Sequence, residues 1–191
     1  MLDLNGMTSL QNGDVWQRHN TMADTGLKTT GAVVFDGDWV NMTTTRINTS
    51  DNSRATTTTN ATFDPATLQN YAFGIPSGAT IDGIEVQCEF NNALGGFLST
   101  VQFSLSWNNG TNYTSTKSDT VTGTTDATKT YGGATDTWGR SWTDSEFADG
   151  TFLVKLEGKT AFGATCQVDW MAVKVYYTES SGSGFFLLMG A

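Results

Sequence analysis

Alternation of apolar and polar residues over residues 81–91 constrains the fold more than any other feature of this chain. Every second residue there is apolar, which is the period of a β-strand with one buried and one exposed face. The apolar set is Ile84, Val86, Cys88 and Phe90, and the polar set is Glu85, Gln87 and Glu89. The same period returns at residues 171–177. Two such strands, far apart in sequence and separated by shorter ones, predict an antiparallel β-sandwich that the last strand closes.

The predicted core follows from the same alternation. Composition agrees with a sheet-rich fold, because β-branched Thr is abundant and 38% of the 191 residues are apolar, enough for one domain with additional arms. We therefore predict an all-β, jelly-roll-like antiparallel β-sandwich. Its expected core residues are Ile84, Val86, Phe90, Phe103, Leu105, Val154, Leu156, Val173 and Val175.

Three regions are predicted along the chain. Residues 1–30 show no sustained period and are interpreted as an N-terminal arm, and residues 31–178 form the sandwich. Within the sandwich we expect short strands at residues 32–35 and 39–47, and an exposed Thr-rich strand at residues 56–59.

Local signals add a hairpin and a helical turn to this scheme. Asn109-Gly110 favours the positive φ values of a tight turn between strands at residues 99–107 and 113–121. Residues 123–139 read as a surface loop with at most one short strand. Thr143 and Glu146 have the spacing of a capping box and predict a helical turn over residues 143–148.

The C-terminal residues 179–191 change character. A polar, Gly- and Ser-rich linker is followed by an uninterrupted apolar run that is too short to cross a bilayer. An exposed run of this kind would favour aggregation, so we predict that it docks against a partner. The docking residues are Phe185, Phe186, Leu187, Leu188 and Met189.

Charge and cysteine content exclude several classes of function. A net charge of −9 with only ten basic residues argues against nucleic-acid binding, which requires clustered Lys and Arg, and no apolar segment is long enough for a membrane. The first residues lack a basic segment followed by an apolar run, which predicts synthesis in the cytoplasm. Cys88 should point into the core as a free thiol, and Cys166 should face the other way unless a bulge intervenes.

No residue set predicts catalysis. His19 is the only histidine and has no nucleophile in a recognisable setting, so triad and imidazole-metal chemistry are excluded. Carboxylate pairs such as Glu85 with Glu89 could in principle serve a glycan hydrolase, as could Asp36 with Asp38 or Asp136 with Asp144. Solvated surface acids are the favoured interpretation, and we predict that the protein is not an enzyme and has no cofactor.

Two binding hypotheses stay open at this point. The acidic loops around Asp36, Asp38, Asp144, Glu146 and Asp149 carry oxygen ligands that Ca²⁺ accepts, although none matches the regular calcium-binding loop. Trp138 and Trp142 flank Arg140 in a loop and could form a platform that stacks on a sugar or partner. The favoured alternative is that both indoles close the end of the sandwich.

Three segments together resemble a β-sandwich module that recurs in structural proteins of tailed bacteriophages. They are FGIPSGATIDGIEV (residues 73–86), TDTWGRSWTDSEF (residues 135–147) and VDWMAVKVYYT (residues 168–178). The resemblance covers residues 39–178 and implies a virion component. The expected function is a capsid decoration or cement protein, homotrimeric, bound to the major capsid protein of a phage head. The alternative is a carbohydrate- or receptor-binding module of a tail or fibre.

Overall fold

The computed structural model describes residues 7–8, 17–18, 21–35, 37–60 and 62–180. Within these residues it contains twelve strands, one short α-helix and one 3₁₀-helix. In chain order they are β1 (Met7–Thr8), β2 (Gln17–Arg18), β3 (Met22–Asp24), β4 (Ala32–Phe35), α1 (Thr44–Ile47), β5 (Ala55–Thr57), β6 (Asp64–Gln69), β7 (Thr80–Asn92), β8 (Ser99–Ser106), β9 (Lys117–Val121), β10 (Ala127–Gly133), the 3₁₀-helix (Asp144–Phe147), β11 (Leu153–Thr160) and β12 (Cys166–Thr178).

The strands form two five-stranded antiparallel sheets, which confirms the predicted antiparallel β-sandwich. Sheet I has the order β10-β7-β12-β3, and β5 pairs with β12 beside this path. Sheet II has the order β4-β6-β11-β8-β9. The short β1 and β2 pair only with each other among the described strands. β7 and β12, the two strands with the clearest alternation, are neighbours at the centre of sheet I.

The hydrophobic core lies between the two sheets. All nine residues predicted for it are completely buried. Inward-facing side chains of β7 and β12 meet those of β8 and β11, and Trp39 is buried with them. This confirms that alternation alone identifies the core face of each long strand.

A β-bulge interrupts the pairing of β12 with β7. Val168 pairs with Phe90 and Trp170 with Glu89, so Asp169 is the extra residue. The bulge changes the parity of the strand, and Cys166 is therefore buried rather than exposed. Cys88 and Cys166 are both free thiols, and burial raises the pKa of each, that of Cys166 to about 12.

Five local features differ from the prediction. Residues 44–47 form α1 instead of a strand, because this turn buries Ile47 in the core. Thr57, expected on an exposed edge, is buried beside Thr59. β6 was not anticipated, and β10, in the region predicted as a loop with at most one short strand, is a seven-residue strand paired with β7. β3, within the predicted N-terminal arm, is an edge strand of sheet I.

Both predicted turn motifs are confirmed. Asn109 and Gly110 have positive φ values of 53° and 80° in the hairpin between β8 and β9. The 3₁₀-helix follows Thr143, whose backbone N–H donates to the Glu146 carboxylate at 2.8 Å.

Several sequence predictions lie outside the described residues. These concern His19, Asp36 and the docking segment at residues 185–189. In the part of the chain that the structure describes, no helix has the length and apolarity needed to span a membrane.

Candidate functional site

Trp138 and Trp142 close one end of the sandwich and do not form a ligand platform. Only 4% of Trp138 and 7% of Trp142 is exposed. The Trp138 indole N–H donates to the Ile84 carbonyl at 2.9 Å, and that of Trp142 donates to the Thr137 carbonyl at 2.8 Å. Both polar atoms are therefore satisfied inside the protein, and neither ring offers a face to a sugar.

Arg140 packs at the same end of the sandwich, and we call Trp138, Arg140 and Trp142 together the plug. Its guanidinium carbon lies 4.2 Å from the ring centre of Trp107 and 4.3 Å from that of Trp142. The same group donates to both carboxylate oxygens of Glu146, at 3.2 and 2.8 Å. Burial raises the pKa of Glu146, but these hydrogen bonds and that of the Thr143 N–H outweigh it and hold the pKa below its usual value. Arg140 therefore cross-links the plug rather than binding a ligand.

Of the acids considered for calcium, the four that the structure describes, Asp38, Asp144, Glu146 and Asp149, form no group of converging ligand atoms. Asp144 accepts the Gly78 N–H at 3.0 Å, Asp149 accepts the Ala72 N–H at 3.1 Å, and Glu146 is paired with Arg140. Among the described residues, the one group of three acids with ligand atoms close together consists of Glu89, Asp126 and Asp169, none of which the loop pattern had indicated.

The outer face of sheet I is the most distinctive open surface. Alternation in β7 and β12 directs six half-buried side chains to it, and β10 adds exposed threonines. We call this surface the polar face, and it consists of Glu85, Gln87, Glu89, Thr128, Thr130, Trp170, Lys174 and Tyr176. Its groups include carboxylates, an amide, hydroxyls, an amine and two aromatic rings.

One end of the polar face is organised around Glu85. Its carboxylate accepts hydrogen bonds from the Gln87 amide at 2.7 Å and from the Tyr176 hydroxyl at 2.9 Å. The Lys174 ammonium lies 5.4 Å from the centre of the Tyr176 ring. Burial and the adjacent Glu85 carboxylate raise the pKa of the Tyr176 phenol, so it donates a hydrogen bond at neutral pH. These contacts hold Tyr176 and Gln87 in fixed positions on the polar face.

Trp170 defines the other end, opposite Glu89 in the pairing of β12 with β7. Ala172 lies between Trp170 and Lys174, pairs with Gln87 and is completely buried, so it adds no accessible group to the polar face. The polar face therefore has aromatic rings at both ends of a row of hydrogen-bonding groups. Alternation identified Glu85, Gln87 and Glu89 as the polar side of their strand, but the predicted ligand platform was Trp138, Arg140 and Trp142 instead.

A second conspicuous surface is apolar. The loop between β7 and β8 and the loop between β11 and β12 meet at one end of the sandwich, where the Ala161 N–H donates to the Leu98 carbonyl at 3.1 Å. The centres of the Phe97 and Phe162 rings are 6.5 Å apart, and 82% of Phe162 is exposed. We call this surface the apolar loop tip, and it consists of Leu94, Phe97, Leu98 and Phe162.

Comparisons with known proteins give structural similarities of low identity. A carbohydrate-binding module in complex with β-1,4-galactotriose, TmCBM61, is 12% identical with a TM-score of 0.42, and the match covers 76% of this chain and 90% of that one. The CBM22-1 xylan-binding domain of Paenibacillus barcinonensis Xyn10C is 11% identical with a TM-score of 0.43 and coverage of 81% and 92%. Truncated AlyQ, with CBM32 and alginate lyase domains, is 13% identical with a TM-score of 0.45, and the match covers 86% of this chain and 36% of AlyQ.

Similarities at this level carry no argument about the ligand of this chain. No protein-family model matches the sequence, and no curated protein matches it.

Proposed function

We propose that this protein is a carbohydrate-binding module and that the polar face of sheet I holds the glycan. The observation that carries the proposal is the placement of Trp170 and Tyr176 on one open sheet face with Glu85, Gln87 and Glu89 between them. A sugar ring has an apolar C–H face, which packs on an aromatic ring, and a rim of hydroxyls. Carboxylates and amides accept and donate hydrogen bonds to such hydroxyls.

The charge of the polar face indicates the class of glycan. Glu85 and Glu89 carry two negative charges against the single positive charge of Lys174, within a protein of net charge −9. Repulsion would disfavour a polyuronate or sulfated chain, so the proposed ligand is neutral. Binding and not hydrolysis is proposed, because both oxygens of Glu85 are engaged by Gln87 and Tyr176.

Calorimetric titration with neutral and acidic polysaccharides tests this proposal. We expect measurable binding to at least one neutral polymer among xylan, galactan and mixed-linkage glucan, and none to alginate. Trp170→Ala should weaken the binding at least tenfold, which corresponds to about 1.4 kcal/mol.

Phe162→Ala is the matched aromatic control, because it removes an exposed ring that belongs to the apolar loop tip and not to the polar face. This variant should bind the polymer with the wild-type affinity. Failure of the wild type to bind every neutral polymer would refute the proposal. So would a Trp170→Ala variant with unchanged affinity.

A second candidate function is that of a virion structural protein, either a capsid decoration protein or a component of a tail or fibre. The resemblance to phage β-sandwich modules motivates it, and the apolar loop tip favours it because such patches commonly mark contacts between proteins. In this role the partners would be further copies of the chain in a homotrimer and the major capsid protein. The segment at residues 185–189 would supply an additional docking element.

Light scattering coupled to size exclusion tests the oligomeric part of the second candidate. We expect a trimer for the wild type and a shift toward monomer for Phe162→Ser, since burying a largely exposed phenylalanine contributes about 1.5 to 3 kcal/mol. Thr120→Ser, an exposed change elsewhere on sheet II, is the control and should leave the trimer unchanged. A wild-type monomer at all concentrations would contradict the homotrimer.

A further inference from the structure

Three carboxylates from separate parts of the chain converge at one end of sheet I. Glu89 belongs to β7, Asp126 immediately precedes β10, and Asp169 is the bulged residue of β12. Each offers an oxygen atom that lies within 4.8 Å of the oxygens of the other two. Oxygen ligands on opposite sides of one Ca²⁺ ion are separated by about 5 Å, since each Ca–O distance is about 2.3–2.6 Å. We call these three residues the acidic cluster.

The acidic cluster contains a buried oxygen without a partner. Asp169 is 1% exposed, and while its Oδ2 accepts the Asn52 N–H at 3.0 Å, its Oδ1 makes no hydrogen bond. Beside the cluster, the Asn91 amide is 2% exposed and donates to Asp126 Oδ1 at 2.8 Å, which leaves its own Oδ1 unpartnered. Buried oxygens are rarely left unsatisfied in folded proteins, so Asp169 Oδ1 is an acceptor that a cation or a hydrogen-bond donor would satisfy.

The protein's own cation does not balance the cluster. The Arg54 guanidinium forms an ion pair with Asp126 and donates from Nε to its Oδ1 at 3.2 Å. The hydrogen bond to Asp126 is the largest influence on the pKa of Arg54 and raises it. The negative charges of Asp126, Asp169 and Glu89 raise the pKa of Arg54 further, so the guanidinium lies near all three carboxylates. Three carboxylates against one guanidinium still leave two negative charges, one of them on a nearly inaccessible side chain.

We propose that the acidic cluster binds one Ca²⁺ ion, with Glu89, Asp126 and Asp169 as carboxylate ligands. A ligand set of oxygens alone, with no imidazole or thiolate, is the type that Ca²⁺ prefers. The ion neutralises the residual charge and ties the bulge of β12 to β7 and to the start of β10. Glu89 also belongs to the polar face, so the ion would lie beside the Trp170 end of the proposed glycan site. Its role is structural and requires no glycan, so the two proposals can fail separately.

Thermal unfolding and terbium luminescence test the site on the full chain. At a Ca²⁺ concentration one hundred times the Kd, the melting temperature should rise by about 5 to 10 °C and return to its starting value with excess EGTA. Tb³⁺, which occupies calcium sites, should show luminescence when the protein's tryptophans are excited, because Trp170 pairs directly with Glu89. Added Ca²⁺ should displace Tb³⁺ and abolish the signal.

Asp169→Asn and Glu89→Gln should each abolish both responses, and Asp144→Asn, the same change in an acid outside the cluster, should retain them. Should Asp169→Asn fail to fold, Glu89→Gln still decides the question, because Glu89 is half-buried and on the sheet surface. Absence of both a melting shift and Tb³⁺ luminescence in the wild type would overturn the proposal and leave Arg54 as the sole counter-ion. Unchanged responses in Glu89→Gln would overturn it equally.

Discussion

Replacement of Val86 by Asp is expected to yield no folded protein. Val86 is completely buried at the centre of sheet I, where it pairs with Val173 of β12 and Tyr131 of β10. Placing a carboxylate there removes it from water without a partner, which costs several kcal/mol, comparable with the entire stability of a domain at about 5 to 15 kcal/mol. Circular dichroism and a thermal melt of the purified variant measure the outcome.

Ser118→Asp is the control for this substitution. It introduces the same side chain on an exposed strand position of β9 and should keep the stability within about 1 kcal/mol of the wild type. A Val86→Asp variant that is soluble and melts cooperatively near the wild-type temperature would contradict the described core.

Replacement of Gly132 by Ala is expected to cost about 3 kcal/mol or more, which corresponds to a fall in melting temperature of roughly 6 to 12 °C. Gly132 has a positive φ of 79°, and a Cβ atom there would overlap the Ile84 carbonyl oxygen and lie 2.7 Å from Trp138 Nε1. These two atoms form the hydrogen bond that seats the Trp138 indole. The substitution therefore strains the backbone and displaces part of the plug at once.

Gly139→Ala separates the two contributions. Gly139 has nearly the same φ, 80°, but a methyl group added there would have no atom within 4 Å, so only the backbone cost of about 1 to 2 kcal/mol should be observed. The free energy of unfolding of both variants is measured by denaturant unfolding. Equal decreases would show that the atoms around Gly132 move to accommodate the added methyl group at no cost in stability.

The long strands were predictable because their environment is simple. In β7 and β12 one face meets the core and the other meets solvent, so polarity reports orientation directly. β6 was missed because Asp64 and Pro65 argue against a strand. In the structure, Asp64 Oδ1 accepts the Asp38 N–H, and the Asp64 carbonyl accepts the Trp39 indole N–H, so tertiary contacts hold in a strand a residue that the local pattern disfavours there.

The candidate site also has a part that the sequence predicts and a part that it does not. Alternation placed Glu85, Gln87 and Glu89 outward, but it could not reveal that Trp170 and Tyr176 share their surface, because strand pairing is a long-range property. In the loop containing Trp138 and Trp142 no periodicity exists, so their burial depends on hydrogen bonds to the Ile84 and Thr137 carbonyls. The bulge at Asp169 likewise depends on the pairing with β7 and brings a buried acid beside Glu89 and Asp126.

The central position of β12 in sheet I has a consequence for synthesis in the cell. A ribosome makes β7, β10 and β5 well before it makes β12, yet all of sheet I except the pair β7–β10 is joined through β12. Until residues 166–178 leave the exit tunnel, the edge of β7 that pairs with β12 has no partner strand, and its core-facing side chains are not yet fully covered. Contacts of such wide sequence separation also form slowly, on a scale of about milliseconds to seconds for sheet proteins. Sheet I therefore completes its pairing only after residues 166–178 have been made, and until then the unpaired edge of β7 is where a chaperone would protect the growing chain.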